Sequence, residues 1–508
     1  MATPIISSSS FLRFFMGFFS VFLCLIICSF ENGFALAARD TKPHLLPHTT
    51  HTVEVKSLLP ATTCSPSTKG HNNNKASSVL KVVHKHGPCS KFHKSSQTST
   101  TTSDEKYHAQ ILKQDQARVN SIHSRLNHSN NNYRIEDPLT QSAATTLPAK
   151  SGIVIGSPNY IVTVGLGTPA KQLSLIFDTG SDLTWTQCKA CSATQSCYKQ
   201  REPIFDPSLS ASYKNISCTT AACTQLSSSG VAHRCSASTS ACIYGTQYGD
   251  NSFSIGVFGS EKLTLTPTDV FEGFLFGCGL DNEGLFNGSA GLLGLGRSNT
   301  SLVEQTANKY NRFFSYCLPS TSSSTGHLTF GNGGSTNGVK FTKLITSSQN
   351  ESASSFYGLG LAGINVGGRQ LSIAPSVFSS SGTIIDSGTV ITRLPATAYA
   401  ALRGAFREAM KNYTLTKSFS LFDTCYDISG LNTISYPNIA FVFGDGLTVD
   451  LDATGILRLI SPSQICLAFA GNKDDSDLGI IGNVQQKRLE VVYDVAGGKV
   501  GFAPASCP

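Results

Sequence analysis

The sequence predicts a mainly β protein of more than one domain. Short apolar runs punctuated by Gly and Pro recur from Asn159 to the C-terminus. Gly, Ser and Thr are abundant while Met occurs only 3 times, and 508 residues exceed what one small core organises. The first runs are Tyr160-Ile-Val-Thr-Val-Gly-Leu-Gly167 and, beyond Thr168-Pro169, Leu173-Ser-Leu-Ile-Phe177. Leu263–Leu265, Ile384–Ile385, Ile439–Phe443 and Leu489–Tyr493 continue the series. One clear helix interrupts them after Pro395, where Tyr399, Leu402, Phe406 and Met410 share a face.

The N-terminus reads as a targeting segment. Arg13 precedes an apolar run from Phe14 to Cys28, and Ala35-Leu36-Ala37 offers the small-x-small pattern of signal cleavage. A membrane anchor is disfavoured because the run is short. A plastid transit peptide, suggested by the early serines, is the other alternative. No apolar tail precedes Pro508, so no lipid anchor is expected there. Of 16 cysteines, Cys24 and Cys28 would leave with the signal, and Cys64 and Cys89 fall in the next segment. An even set follows: Cys188, Cys191, Cys197, Cys218, Cys223, Cys235, Cys242, Cys278, Cys317, Cys425, Cys466 and Cys507. In a secreted chain these are disulfide candidates. Cys188-x-x-Cys191 lacks a second pair or nearby histidines for zinc, so no metal is expected. Asn215, Asn287, Asn299, Asn350 and Asn412 open N-x-S/T sequons, as the secretory route permits.

Charge is unevenly spread. Residues 39–150 carry an excess of basic side chains and ten of the 12 histidines, whereas residues 151–508 are close to neutral. Residues 66–104 and 127–146, rich in Ser, Thr, Asn and His, look poorly ordered on their own. Between them Lys106 to Leu126 has helical periodicity, with Ile111, Leu112, Val119, Ile122 and Leu126 on one face. A basic amphipathic helix with such flanks suits a prosegment docked on a larger body; an ordinary small domain or linker is the alternative.

The most specific feature is a duplication. Leu175-Ile-Phe-Asp178-Thr179-Gly180-Ser181 runs an apolar strand into Asp-Thr-Gly, and Thr383-Ile-Ile-Asp386-Ser387-Gly388-Thr389 repeats the plan about one lobe later. Each Gly permits the tight turn that follows its Asp. With Trp185, Tyr248-Gly249-Asp250, Leu292-Leu293-Gly294, Ile480-Ile481-Gly482, Val492-Tyr493-Asp494 and Val500-Gly501-Phe502-Ala503 in order, the stretch from about 158 to 508 resembles the pepsin-like aspartic proteases. Within them it is similar to the plant nepenthesin type.

The resemblance implies a bilobal pepsin-like fold, two β-barrel-like lobes with the active-site cleft between them. It implies an aspartic endopeptidase in which Asp178 and Asp386 share a proton and activate water, without an acyl-enzyme and without a cofactor. Thr179 and Ser387 would brace the two loops, and Ser181 and Thr389 would orient the carboxylates, with Gly180 and Gly388 completing the turns. Tyr248 and Gly249 would belong to a flap over bound peptide, with the Trp185 indole hydrogen-bonded to the tyrosine. Asn251 stands where plant flaps usually have glycine, which suggests a stiffer flap. The Cys188 to Cys242 stretch is similar to the nepenthesin cysteine-rich insertion, and the family makes Cys425–Cys466 the expected second-lobe bridge. No saposin-like insertion is present.

Val79-Leu-Lys-Val-Val-His-Lys-His-Gly-Pro-Cys-Ser90 and Leu112-Lys-Gln-Asp-Gln-Ala-Arg-Val119 resemble prosegments of a plant subgroup that includes chloroplast nucleoid DNA-binding and apoplastic proteases. The expected organisation is a signal peptide over 1–37, a prosegment over 38–150, an N-terminal lobe over 151–335 with the insertion at 188–242, and a C-terminal lobe over 336–508. Polypeptide substrates, the chain's own prosegment as inhibitor, a monomer without a stable membrane anchor, and secretion to the apoplast are expected; vacuole or chloroplast are the alternatives. A catalytically weak binding or inhibitor protein on this fold, and a DNA-binding protease of plastids, are the competing functions. The near-neutral body gives a mature form little to hold phosphate with, so no nucleic-acid partner is expected for it. A serine or cysteine hydrolase would need a catalytic histidine, and the body has only His233 and His327, neither beside a nucleophile motif.

Overall fold

Both Asp-containing motifs close a buried strand, and the two halves of the chain place those strands alike. In the computed structural model Lys171–Asp178 runs antiparallel to Tyr160–Leu166 and parallel to Gly291–Gly294, with Gly294 level with Asp178. In the second half Thr383–Ile385 runs antiparallel to Tyr357–Leu359 and parallel to Gly479–Ile481, with Ile481 level with Ile385. Leu173 to Asp178 and Thr383 to Ile385 are buried throughout. A strand covered on both faces reads as a continuous apolar run rather than an alternation, hence Leu-Ile-Phe and Thr-Ile-Ile before the aspartates. The structure describes residues 49–59, 61–66, 78–85, 87–91, 101–127, 160–191, 197–248, 252–284, 286, 288–331, 338–345, 355–504 and 507.

The architecture is mainly β: one barrel-like sheet draws strands from both halves, and two further four-stranded sheets lie in the second half. A long hairpin, Phe253–Thr266 against Asp269–Glu283, dominates the first half. Further antiparallel pairings line up Thr325–Phe330, Phe313–Cys317, Leu489–Asp494, Lys499–Pro504 and Lys340–Ile345, so strands from both halves share one sheet. The expected lobe boundary at 335 lies outside the described residues, between two strands of that sheet. The helix after Pro395, Ala396–Ala409, buries Tyr399, Leu402 and Phe406, and Met410 caps it, as its periodicity predicts.

The segment before residue 150 is built into this body. Thr50–Glu54 pairs with Thr433–Pro437, and Ser78–His84 pairs with both Thr325–Phe330 and the start of Tyr160–Leu166. Ser78–His84 falls within residues 66–104, which look poorly ordered on their own. Leu80, Val82 and Val83 are buried, and the order comes from the neighbouring strands rather than from local composition. The amphipathic helix spans Thr101–Asn127. Ile111 and Leu112 pack with Val390, Ile391, Phe422 and Ile460; Val119 and Ile122 pack with Phe356, Ile384 and Ile480. Each such side chain contributes about 1.5–3 kcal/mol on burial.

Seven disulfides join described residues: Cys64–Cys89, Cys188–Cys278, Cys191–Cys197, Cys218–Cys235, Cys223–Cys242, Cys317–Cys507 and Cys425–Cys466. The stretch 188–242 holds an odd number of cysteines, and Cys188 resolves this by pairing outside it. Cys188 and Cys191, spaced like half a zinc site, lie in separate disulfides. Of the sequon asparagines, Asn215, Asn299 and Asn412 are exposed; Asn287 and Asn350 lie outside the described residues. Among the described residues no helix is long and apolar enough to cross a membrane.

Candidate active site

Each strand ends in a loop whose backbone N–H and hydroxyl groups converge on its carboxylate. Gly180 N donates to Asp178 Oδ1 at 3.0 Å and Ser181 Oγ to Asp178 Oδ2 at 2.7 Å. Gly388 N donates to Asp386 Oδ1 at 2.9 Å and Thr389 Oγ1 to Asp386 Oδ2 at 2.6 Å. The loops are cross-braced: Thr179 N donates to Ser387 Oγ at 3.1 Å, and Ser387 N to Thr179 Oγ1 at 2.9 Å. A β-carbon on Gly180 would lie 2.7 Å from Asp386 Oδ1, and one on Gly388 would collide with Asp178 Oδ1. Only glycine lets each loop approach the other's carboxylate so closely. Asn483 Nδ2 holds the Ser387 carbonyl at 3.0 Å, and Gln486 Nε2 reaches the Asp386 carbonyl at 3.3 Å.

The two carboxylates meet around one guanidinium. Arg118, on the Thr101–Asn127 helix, directs Nη2 to Asp178 Oδ1 at 2.7 Å and to Asp386 Oδ2 at 2.9 Å. Its Nη1 donates to Asp178 Oδ2 at 3.2 Å, and its Nε to Asp386 Oδ2 at 3.0 Å. Asp178 and Asp386 are buried, at 1% and 0% exposure, so this is a desolvated ion cluster rather than a surface bridge. Burial disfavours charge on the Arg118 side chain, but the two carboxylates outweigh it and hold the group protonated. Burial pushes the Asp178 carboxyl up; the Arg118 charge and the bonds from Ser181, Arg118 and Gly180 prevail and set it below the usual range. For Asp386 burial also acts upward, against Arg118 but assisted by the charge of Asp178, and the carboxyl ends above the usual range. The two carboxyls are thus pushed in opposite directions, and they titrate as a pair.

Tyr248 directly follows a strand, Cys242–Gln247, that pairs with the start of the long hairpin. Trp185 Nε1 donates to Tyr248 Oη at 2.9 Å, and both rings meet Phe286 edge-on. Burial, the largest influence on Tyr248, keeps its phenol protonated. Gly249 and Asn251 lie outside the described residues. Next to Tyr248 the cleft stays open between Arg118, Ser121, Gly180, Ser181 and Thr246. Three residues at or beside this site have no forecast role in the sequence reading: Arg118, and the buried pair Asp115 and Arg393, with Arg393 Nη2 at 3.0 Å from Asp115 Oδ2. Arg118 and Asp115 lie inside the Leu112 to Val119 motif, where polar residues of a docked basic helix are the natural candidates to meet buried carboxylates and their surroundings.

Two family descriptions match the chain in tandem, "Xylanase inhibitor N-terminal" over residues 160–332 and "Xylanase inhibitor C-terminal" over residues 356–504. Aspartyl protease AED1 of Arabidopsis thaliana is 50% identical over 96% of this chain and 99% of its own length. The chain belongs to the pepsin-like aspartic proteases of plants. Within that family it is also similar to aspartic proteinase nepenthesin-2 of Nepenthes gracilis, at 37% identity over 72% of this chain and 83% of that protein. The fold is shared with basic 7S globulin from soybean, at a TM-score of 0.54 and 22% identity over 68% of this chain and 92% of that one.

Proposed function

We propose that the chain is the precursor of a secreted aspartic endopeptidase whose N-terminal segment occupies its own cleft until acid releases it. One observation carries this reading: Asp178 and Asp386, buried and cross-braced, converge on the Arg118 guanidinium of a helix outside the two protease lobes. A dyad covered in this way can neither admit a peptide nor hold a nucleophilic water. Once the helix leaves, two neighbouring carboxylates cannot both ionise readily and share a proton. The ionised member then takes a proton from water as that water attacks the scissile carbonyl, and the protonated member donates to the carbonyl oxygen. Tyr248, anchored by Trp185, closes over the peptide.

Acid sensitivity has a local source. His108, on the same helix, is pushed down from an ordinary 6.5 to about 3, first by burial and then by the charge of Arg458. Above pH 6.5 it is neutral whether docked or released. Between there and pH 3 the released helix takes up a proton that the docked helix refuses, so docking weakens as pH falls through that window.

The test is to purify the full chain, hold it between pH 7 and pH 4, sequence any new N-terminus and assay peptide cleavage. Acid-dependent release with pepstatin-sensitive cleavage, absent in Asp178→Asn, is expected. Release equal at both pH values removes the acid-activated zymogen. Cleavage that survives Asp178→Asn removes the chemistry, and peptide binding without cleavage returns the chain to the binding-protein alternative.

A further inference from the structure

A buried ring of hydrogen bonds lies beneath the dyad and has no part in the chemistry above. Phe313–Cys317 comes from the first half and Leu489–Asp494 from the second, and the two strands pair with Phe314 opposite Tyr493. Residues two apart share a face of a strand, so Tyr316 sits diagonally across from Tyr493. Their hydroxyls are 3.0 Å apart, and Phe314 stacks on Tyr493 at 4.4 Å. Tyr316, Tyr493 and Gln486 are all buried.

The donors can be assigned in order. Gln486 Nε2 faces two carbonyls, that of Ile481 at 2.9 Å and that of Asp386 at 3.3 Å, which leaves Oε1 for Tyr316 Oη at 2.5 Å. An amide oxygen only accepts, so Tyr316 commits its one proton there and accepts from Tyr493. Tyr493 in turn accepts from the Thr179 hydroxyl, and Thr179 Oγ1 accepts from Ser387 N at 2.9 Å. The run of donors closes on itself, because the Ser387 N–H and the Asp386 carbonyl are the two ends of one peptide group. The matching peptide of the first loop is held differently. The Asp178 carbonyl accepts from Leu295 N at 2.9 Å, main chain to main chain, and Thr179 N donates to Ser387 Oγ.

We propose that Tyr316, Tyr493 and Gln486 are positioning residues of the protease: with Thr179 they grip the Asp386–Ser387 peptide at both ends and fix how closely the Asp386 carboxyl approaches that of Asp178. This inference rests on the protease reading, since it concerns the spacing of the dyad. Hydrogen bonds aligned head to tail polarise one another, so removing one member weakens the rest. The ring contains no charged side chain, and burial keeps both phenols protonated, so it acts through geometry. A looser Asp386 loop lets the carboxyls drift apart, weakens their mutual repulsion and brings their two apparent pKa values together.

The experiment compares acid-processed wild type with Tyr316→Phe, Tyr493→Phe, the double variant and Gln486→Met, each titrated with pepstatin to count folded sites. Each single variant should lower kcat about tenfold with KM changed by less than about twofold, and the bell-shaped pH profile of kcat should narrow. The double variant should lose no more than either single one, because one cut already opens the ring. Tyr399→Phe loses a 2.6 Å bond to Asp423 outside the ring and should keep the wild-type profile. Wild-type kcat and profile in the single variants, losses that multiply in the double variant, or the same narrowing in Tyr399→Phe each overturn the proposal. Variants that lose only heat stability, or that all fail to fold, assign the ring to stability and overturn it as well. A wild type that cleaves no peptide fells the protease reading itself, an outcome distinct from unaltered kinetics.

Discussion

Trp185 and Arg393 stand at matching places, the same distance along the chain beyond Asp178 and Asp386, each on a short strand after its loop. The two loops are alike down to the paired hydroxyls and glycine N–H groups, yet the residues beyond them have opposite partners. Trp185 holds Tyr248, a residue of its own half. Arg393 holds Asp115, on the helix that fills the cleft. One side of the cleft is organised by a contact within its own half, and the other by a contact with the N-terminal helix. A duplicated scaffold thus carries matched acids in unmatched surroundings.

The largest effect tests the matched part. Asp178→Asn and Asp386→Asn should each lower kcat on peptides by about 10²–10⁴-fold. Either one within tenfold of wild type would show that the halves are not equal partners. Next, Arg118→Met in the precursor removes the shared guanidinium. Amide hydrogen exchange across Thr101–Asn127 at pH 7 should accelerate about 10²-fold, because a buried pair broken on one side leaves uncompensated charge. Unchanged protection would mean that the apolar face alone holds the helix. His108→Gln removes the proton uptake that loosens docking below pH 6.5, so the midpoint of acid release should move down by about one pH unit; an upward shift would reverse the assigned sign. The smallest effect probes the side held within its own half. Tyr248→Phe keeps the ring against Phe286 and loses the acceptor for Trp185 Nε1, which should lower kcat/KM about three- to tenfold with little change in release pH.

Much of this was written locally. The aspartates follow buried strands because continuous apolar runs before Asp-Thr-Gly and Asp-Ser-Gly have no solvated face to offer. The helix around Ile111, Leu112, Val119 and Ile122 announces itself by periodicity, and its apolar face does pack against the body. The family motifs order the halves and pick out Asp178 and Asp386. The bridge Cys425–Cys466 follows from the resemblance, whereas Cys188–Cys278 does not, since an even count says nothing of which sulfurs approach.

What the periodicity cannot say is where a helix's polar residues end up. Arg118 and Asp115 are ordinary members of a polar face until the chain folds back and sets them over Asp386, Val390 and Arg393, hundreds of positions away. The strand Ser78–His84 is ambiguous in the same sense, because its order belongs to the strands beside it. Sequence alone determined the strands, the duplication and the pair of acids, since these depend on near neighbours along the chain. Tertiary structure decided which cation covers the acids and which carboxylate meets Arg393. Those pairings are long-range, and their strength comes from a burial that exists only once both halves and the N-terminal segment have assembled.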